Sequence, residues 1–217
     1  MIQLFAHPFS SYCWKAMIAF HEKDVAYDLR ILDPDHPDNG AEFARRWPLQ
    51  LMPLLVDGDV QVMEASIIIE WLEQRHPEPA LIPGDPAAAI EVRMMDRMFD
   101  NYVMAPMMVP VWDALRPADA HDALGVERSR ERAAQAYAWL DARLGAREWA
   151  AGDTFSLADC AAAPALFYAD WVNPIPDEHA TLRAYRARLL ARPSVARCVE
   201  AGRPFRRNFP LGAPDRD

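Results

Sequence analysis

Residues 7–15, HPFSSYCWK, decide the fold, because the chain changes there from a strand pattern to a helix pattern. Residues 2–6 are a short apolar run that predicts a buried strand. From about residue 11 to residue 23, apolar side chains recur at helical spacing and predict one buried helix face. Ser10 and Ser11 therefore stand at a strand-to-helix junction.

The first 76 residues continue to alternate between strand and helix patterns. We predict, in order, a strand, a loop, a helix, a two-stranded hairpin and a helix over residues 25–32, 33–40, 41–46, 53–63 and 64–75. The hairpin turns at Asp57-Gly58, and the last helix ends before Pro77. The order βαβαββα predicts a mixed sheet with helices on its faces.

After residue 85 the chain shows only helical periodicity. Residues 77–85 carry three prolines and one glycine and predict a linker, after which Asp85 and Pro86 predict the cap and first residue of a helix. We predict helices from residue 86 towards Pro106 and Pro110, which should kink or end the first one, and over residues 126–145, 157–171, 178–191 and 194–201. The predicted division is an α/β domain (1–76), a linker (77–85) and an all-helical domain (86–217).

Charge and capping patterns predict which faces of these helices are buried. In the first helix of the second domain, the expected solvent-facing i,i+3 pairs are Arg93 with Asp96 and Arg97 with Asp100, and the expected buried face is Val92, Met95, Phe99 and Tyr102. Residues 156–159, SLAD, form a capping box. The helix that follows is apolar nearly all round and is predicted to be the buried axis of the second domain.

The composition is that of an ordinary globular protein and disfavours several functional classes. Hydrophobic residues make up 52% of the chain and charged residues 25%, which argues against disorder. The formal net charge of −9 disfavours a nucleic-acid-binding surface. No apolar run approaches the roughly 20 residues that span a bilayer, and the first residues lack the basic region of a signal peptide. We therefore expect no nucleic-acid partner and no membrane partner.

Cysteine, histidine and lysine usage adds expectations about location and cofactors. The widely spaced Cys13, Cys160 and Cys198 form no disulfide framework and indicate a reducing compartment, so we expect the cytoplasm. The six histidines show no metal-ligand spacing, so no metal is expected. Of the 23 basic residues only Lys15 and Lys23 are lysines, which indicates GC-rich coding and hence a bacterial source.

Four motifs in order resemble the cytosolic glutathione S-transferase superfamily, and the resemblance covers essentially the whole chain. They are Ser10-Ser11-Tyr12-Cys13, Met52-Pro53, Glu64-Ala65-Ser66 and the capping box at 156–159. The first motif is similar to the C-P-Y-C of glutaredoxins with serine at the nucleophile position, as in the serine-type zeta and theta classes. The resemblance implies a thioredoxin-like domain, an all-helical domain and a homodimer.

The resemblance also implies a transferase that holds glutathione, its co-substrate, as a thiolate. A thiol with a pKa near 8.5 is only a few per cent ionised at neutral pH. Lowering that pKa by about 2 units takes roughly 2.7 kcal/mol, which a hydroxyl donor and a helix N-terminus together can supply. Ser10 aligns with the zeta-type serine and is the expected donor, whereas theta-type spacing would select Ser11.

Further glutathione contacts are implied for the second and third motifs. Pro53 is expected to be cis and to turn the backbone of Met52 towards the peptide, so that the two pair as strands do. Glu64 is expected to receive the γ-glutamyl ammonium group.

The chain departs from the family pattern at two contacts. The family usually has a serine after the glutamate, which binds the γ-glutamyl carboxylate, whereas this chain has Ala65, with Ser66 one residue on. The main-chain amide at Ala65 is therefore the contact expected to remain. Leu51 replaces the usual lysine or glutamine near the glycyl end. Two lost side-chain contacts, at about 1–2 kcal/mol each, would weaken glutathione binding.

Aromatic and methionine side chains near the domain boundary predict a site for a second, apolar substrate. The group is Tyr12, Trp14, Tyr102, Met104, Met107, Met108 and Trp112, and the predicted site residues among them are Tyr12, Tyr102, Met104, Met108 and Trp112. Core packing or dimer packing is the alternative explanation for this group. The expected partner is a small hydrophobic electrophile.

Four functional hypotheses remain at this point. The first is conjugation of glutathione to an electrophile. The second is a glutathione-dependent cis–trans isomerase of the maleylacetoacetate type, because residues 10–15, SSYCWK, are similar to the S-S-C-S-W-R of zeta members. The third is a non-catalytic binding protein, motivated by Leu51 and Ala65. The fourth is a thiol-disulfide reductase acting through Cys13, where a buried helix cysteine is the simpler expectation.

Overall fold

The computed structural model describes every residue from Met1 to Asp217 and confirms an α/β domain followed by an all-helical domain. The strands are β1 (Gln3–Ala6), β2 (Asp28–Ile31), β3 (Leu54–Asp57) and β4 (Val60–Met63). The helices among them are α1 (Ser11–Glu22), α2 (Pro37–Arg46) and α3 (Ala65–Arg75). The thioredoxin-like order βαβαββα is therefore confirmed.

The sheet has the strand order β2-β1-β3-β4. Strand β1 is parallel to β2, with Leu4 opposite Leu29, and antiparallel to β3, with Phe5 opposite Leu54. Strand β4 is antiparallel to β3, with Met63 opposite Leu54. The end of β1, the start of β3 and the end of β4 consequently lie at one edge of the sheet. The three motifs of the first domain adjoin these ends and are brought together there.

The second half of the chain is helical. Its elements are α4 (Pro86–Met98), a π-helical segment (Phe99–Met104), α5 (Ala105–Asp113), α6 (Ala123–Leu144), α7 (Leu157–Val172), α8 (Ala180–Ala191), α9 (Pro193–Gly202) and a closing 3-10 segment (Arg203–Asn208). In α7, 14 of 16 residues are buried, which confirms this helix as the axis of the domain. No helix is both long and apolar enough to cross a membrane.

The capping box predicted at the start of α7 is present. Asp159 accepts hydrogen bonds from the main-chain amide of Ser156 at 2.9 Å and from its hydroxyl at 3.0 Å. The same buried carboxylate also accepts from the Ala150 amide at 2.8 Å and from the Tyr185 hydroxyl at 2.6 Å. The motif therefore ties α8 and the segment before α7 to the helix start, in addition to capping it.

Helix α2 begins earlier than the sequence pattern predicts. Residues 37–40 are predicted above as loop, but Pro37 is the first residue of the helix and Asp38 lies in its first turn. Proline is favoured at the first helical position and acidic residues in the first turn. The residues that suggested a turn are therefore signals of a helix start. Strand β2 is shorter than the predicted 25–32 and spans Asp28–Ile31.

The predicted break near the prolines of the first long helix takes the form of a π-helical segment. Pro106 has no amide N–H and cannot donate to the carbonyl of Tyr102, four residues earlier. The π-helical segment, which contains Tyr102, shifts the hydrogen-bond pattern directly before the proline. Pro110 lies inside α5, which continues to Asp113. The chain thus stays helical through both prolines.

Asp96 is buried, which corrects the predicted solvent-facing pair with Arg93. The residue is only 2% exposed. Arg93 pairs instead with Glu70 of α3, with its Nε 2.6 Å from Oε1. The burial of Asp96 is possible because the ammonium group of Lys15, on α1, pairs with its carboxylate.

Lys15, Ser66, Asp96, Arg97 and Asp100 form a polar cluster at the domain boundary, which we call the Lys15 cluster. The Nζ of Lys15 lies 2.6 Å from Asp100 Oδ2 and 2.8 Å from Ser66 Oγ, besides pairing with Asp96. The predicted pair of Arg97 and Asp100 is present. The cluster joins α1 and α3 of the first domain to α4 and the π-helical segment of the second.

The second lysine of the chain fixes the linker to the first domain. The Nζ of Lys23 donates to the main-chain carbonyls of His76 and Pro79, both at 2.7 Å, and lies 2.7 Å from Glu73 Oε1. The Lys23 side chain is fully buried. Lys15 thus lies on α1 and Lys23 directly after it. Lys15 contacts α3, α4 and the π-helical segment, and Lys23 contacts the end of α3 and the linker.

The Lys15 cluster predicts a large stability effect. Lys15→Met leaves two carboxylates near the boundary without their ammonium partner, so the free energy of unfolding is expected to fall by about 3–5 kcal/mol. Urea denaturation followed by circular dichroism measures this. The matched control is Arg93→Met, which breaks an exposed pair and is expected to cost about 1 kcal/mol or less. Equal small losses in both variants would contradict the prediction.

Candidate functional site

A cleft of about 930 Å³ lies between the sheet edge described above and the helical domain. Ligand sites commonly span roughly 300–1,000 Å³, so this cleft has room for a peptide-sized ligand beside a second small molecule. Every predicted site residue except Tyr102 and Met104 lines it, namely Ser10, Ser11, Tyr12, Leu51, Met52, Pro53, Glu64, Ala65, Ser66, Met108 and Trp112.

Ser10 and Ser11, at the start of α1, line the cleft. Ser10 is the N-cap residue, and its Oγ accepts a hydrogen bond from the main-chain amide of Cys13 at 3.4 Å. A hydroxyl oxygen that accepts in this way keeps its own O–H free to donate. Ser11 is the first helical residue and is 7% exposed. The positive end of the α1 dipole and the Ser10 hydroxyl therefore lie at the same part of the cleft.

The predicted cis bond is present between Met52 and Pro53, directly before β3. Both residues line the cleft. The two residues before them, Gln50 and Leu51, also line it and have exposed side chains. Gln50 has a φ of 52°, in the left-handed region. A side-chain amide is thus available at this end of the cleft, one residue before the leucine that replaces the usual polar residue.

Glu64 has an unusual backbone and an unpaired carboxylate. Its φ of 68° and ψ of 121° lie in a region that non-glycine residues rarely adopt. Its side chain is exposed on the cleft and makes no capping hydrogen bond to α3. Ala65, the first residue of α3, is 6% exposed. A strained residue that presents a free carboxylate next to a helix start is suited to binding a cationic group.

The Ser66 hydroxyl is already engaged inside the protein. It accepts a hydrogen bond from Lys15 at 2.8 Å and donates to Asp96 Oδ2 at 3.1 Å. Ser66 therefore lines the cleft but belongs to the Lys15 cluster. Arg97 and Asp100 of the same cluster also line the cleft, so the cluster forms one end of it.

The apolar wall of the cleft combines residues from three parts of the chain. Tyr12 follows the serine pair, Met108 and Trp112 come from α5, and Phe209 comes from the C-terminal segment. Met107, another member of the aromatic and methionine group, lines the cleft as well. Trp112 is 59% exposed. Tryptophan side chains are highly buried on average, so this exposure leaves indole surface open to a ligand.

Tyr102 and Met104 do not line the cleft, which corrects their assignment to the apolar wall. Met104 is 1% exposed and lies in the core. Tyr102 is 56% exposed and lines a separate groove, together with Trp139 of α6. The cause is the π-helical segment, whose i→i+5 hydrogen bonds widen the turn. Within that segment Val103, four residues after Phe99, is buried, and Tyr102 is exposed.

The three cysteines are buried, and burial raises the pKa of each thiol. Cys13 is fully buried, as predicted, and burial raises the pKa of its thiol to about 11. Burial likewise raises the pKa of Cys198 to about 12 and that of Cys160 well above its ordinary value. A thiol acts as a nucleophile in its ionised form, so this geometry gives no support to a reductase mechanism through Cys13.

Several cleft residues are missed by the sequence analysis. His7 lines the cleft directly after β1, with its Nδ1 accepting from the Phe9 amide at 3.0 Å, and burial lowers its pKa. Its position directly after the first strand is the sequence feature that could have identified it as a cleft residue. Arg97 was identified only as part of a surface ion pair, and nothing in the local sequence marks Phe209 as a wall of the cleft.

Comparisons with known proteins agree with this geometry. A family model described as "Glutathione S-transferase, N-terminal domain" matches residues 4–80, and one described as "Glutathione S-transferase, C-terminal domain" matches residues 103–193. The chain is 28% identical over 188 residues to a stringent starvation protein A homolog of Coxiella burnetii, covering 86% of this chain and 83% of that protein. It is 26% identical over 209 residues to a probable maleylacetoacetate isomerase of Vibrio cholerae, covering 90% and 94%.

A solved structure extends the likeness to the whole fold. The glutathione S-transferase of Methylobacterium radiotolerans, in complex with glutathione sulfonate, superposes with a TM-score of 0.79 at 30% sequence identity. The likeness covers 91% of this chain and 94% of that one.

The burial of the thiols predicts slow chemical modification. In the native protein the three cysteines are expected to react negligibly with the disulfide reagent dithiobis(nitrobenzoate) at neutral pH. Burial blocks access to the thiols, and it raises the pKa of Cys13 to about 11. In guanidinium all three should react. A fast-reacting thiol in the native protein that disappears in Cys13→Ser would contradict the prediction and favour the reductase hypothesis.

Proposed function

The chain belongs to the glutathione S-transferase superfamily, and from that premise we propose that it joins the thiolate of glutathione to a small hydrophobic electrophile. The observation that carries the proposal is the cleft itself. It combines a polar end, which includes Ser10 and Glu64, with an apolar wall that includes Met108 and Trp112. A transferase of this kind needs a polar peptide site and an apolar site side by side.

In the proposed complex, glutathione lies along the sheet edge. Its γ-glutamyl ammonium group binds the free carboxylate of Glu64. Its peptide backbone pairs with the main chain of Met52, which lines the cleft. Its cysteinyl sulfur lies at the start of α1. The glutathione sulfonate bound to the Methylobacterium radiotolerans protein supports this class of ligand.

The proposed chemistry begins with the sulfur anion. The free O–H of Ser10 and the N-terminus of α1 stabilise the thiolate relative to the thiol and so lower its pKa. The thiolate attacks an electrophilic carbon of the second molecule, forming a carbon–sulfur bond while a leaving group departs or a double bond takes up a proton. Holding both reactants in one cleft supplies much of the acceleration. Ser11, the buried neighbour, is the alternative donor in this serine-type scheme.

A cis–trans isomerase is the second candidate function. The observation in its favour is the likeness to the probable maleylacetoacetate isomerase of Vibrio cholerae over nearly the full chain. In such a reaction the thiolate would add to a double bond and leave again after rotation, so glutathione would not be consumed. Turnover of a maleyl substrate at constant glutathione concentration would favour this function over conjugation.

The remaining parts of the proposal concern the state of the protein. We propose a cytoplasmic homodimer whose glutathione-binding domain is residues 1–76 and whose helical domain, residues 86–217, carries the acceptor site. A non-catalytic binding protein is the alternative, since Ala65 and Leu51 lack the usual polar side chains of the family. Glutathione binding without turnover of any electrophile would favour it.

The proposed γ-glutamyl contact predicts a loss of glutathione affinity in one variant. Glu64→Gln is expected to weaken binding about tenfold or more, because it removes a charged hydrogen-bond acceptor for an ammonium group. Tryptophan fluorescence measures the titration, with Trp112 in the cleft as a reporter. Glu70→Gln, on the same helix but outside the cleft, is the matched control and should bind as the wild type does. No saturable signal at several millimolar glutathione would contradict the proposed function.

The serine pair predicts a pH effect. In Ser10→Ala the pKa of the bound glutathione thiol is expected to rise by about 1–2 units, since one hydrogen bond to a charged group contributes about 1.5–3 kcal/mol. Because the thiolate fraction falls, the rate at pH 7 should drop about 3- to 25-fold and recover as pH rises towards the new pKa. Thiolate absorbance in the ultraviolet measures the pKa. A larger shift in Ser11→Ala than in Ser10→Ala would assign the role to Ser11.

A further inference from the structure

Arg97 places a partly free guanidinium group at the polar end of the cleft. It is the only lysine or arginine that lines the cleft, and its side chain is 50% exposed. Its Nε and Nη2 are held inside the protein, since Nε donates to Asp96 Oδ2 at 2.9 Å and Nη2 donates to Asp100 and Ser66 and lies 2.7 Å from Asp96 Oδ2. Its Nη1 forms no hydrogen bond within the chain and is available to a ligand.

The carboxylate at the γ-glutamyl end of glutathione needs a hydrogen-bond donor that the side chains next to Glu64 do not supply. That end is an α-amino acid group, with one ammonium and one carboxylate. Glu64 offers an acceptor for the ammonium group. No side chain at position 65 can donate to the carboxylate, because the residue there is alanine, and the Ser66 hydroxyl is occupied by Lys15 and Asp96.

We propose that Arg97 binds the carboxylate of the γ-glutamyl group and replaces the hydroxyl that Ala65 lacks. The inference rests on the proposed function and identifies a specificity-determining residue within it. Both charges required by a zwitterionic group line the same cleft, and Arg97 Nη2 lies 2.5 Å from Ser66 Oγ, in the first turn of the helix that Glu64 precedes. The main-chain amide of Ala65, at the start of α3, is the second donor to the same carboxylate.

The buried part of the Lys15 cluster positions Arg97. Asp96 is 3% exposed at its side chain, and it lies between Lys15, which pairs with Oδ1, and Arg97, which pairs with Oδ2. Lys15 thus fixes the carboxylate, and the carboxylate fixes the plane of the guanidinium group. Because Nε and Nη2 are both held, the remaining nitrogen keeps a set direction, which reduces the entropy lost when a ligand binds. Asp96 is accordingly a positioning residue.

The test combines one variant with one altered ligand. The probes are glutathione and γ-aminobutyryl-cysteinylglycine, which is glutathione without the carboxylate in question. The wild type is expected to bind the second probe about 10- to 100-fold more weakly. Arg97→Gln is expected to bind glutathione more weakly by a similar factor and to bind the second probe as the wild type does. Isothermal calorimetry measures all four affinities.

Two further variants separate recognition from general damage. Arg93→Gln, one turn earlier on α4 and outside the cleft, is the matched control and should preserve the wild-type preference for glutathione over the second probe. Asp96→Asn should lower the ratio of glutathione affinity to second-probe affinity towards one, while circular dichroism shows that the protein is still folded. A merely structural role of Asp96 would leave that ratio unchanged.

The outcomes distinguish this inference from the function on which it rests. The inference is overturned if Arg97→Gln binds glutathione as tightly as the wild type, or if it loses affinity equally for both probes. Failure of the wild type to bind glutathione at all would overturn the proposed function itself, and the inference with it. Weaker glutathione binding in Glu64→Gln beside unchanged binding in Arg97→Gln would preserve the function and overturn only the inference.

Discussion

The ammonium group of Lys15, buried between the carboxylates of Asp96 and Asp100, is the ionic contact inside the otherwise apolar interface that joins the two domains. A buried charge is tolerated only where charged and hydrogen-bonding partners surround it. Lys15 belongs to α1, and both carboxylates belong to the helical half, so the ion pairs hold the domains against each other.

The polar wall is a consequence of sheet geometry. Because β1 and β4 are both antiparallel to β3, the end of β1, the start of β3 and the end of β4 meet at one edge. The serine pair, the cis bond before Pro53 and the strained Glu64 are the residues next to those three strand ends. Three segments that are distant along the chain therefore bring a hydroxyl, a cis X-Pro bond and a free carboxylate to one ligand-sized space.

One continuous helical stretch serves both ends of the cleft. Helix α4 directs Asp96 inward and Arg97 outward, so neighbouring residues have opposite roles: one neutralises Lys15, and the other offers charge to the cleft. The π-helical segment then changes the rotation of the chain, and α5 presents Met108 and Trp112 as the apolar wall. An acceptor bound at α5 and a peptide bound at the sheet edge would thus contact elements tied together by the Lys15 cluster.

The sequence by itself determined what local patterns encode. An apolar run, an alternating pattern and a hairpin turn predicted the strands, and helical spacing predicted the main helices. The SLAD motif predicted the capping box of α7, and the resemblance to a known family predicted the cis bond at Pro53 and 11 of the 26 residues that line the cleft. The tertiary structure alone decided the burial of Asp96, the placement of Arg97 in the cleft, the engagement of Ser66 and the exposure of Tyr102. The first three outcomes depend on which charged residue of a distant segment lies opposite each side chain. The last depends on how the π-helical segment changes the direction of the side chains around it. The spacing of residues along one segment contains neither kind of information.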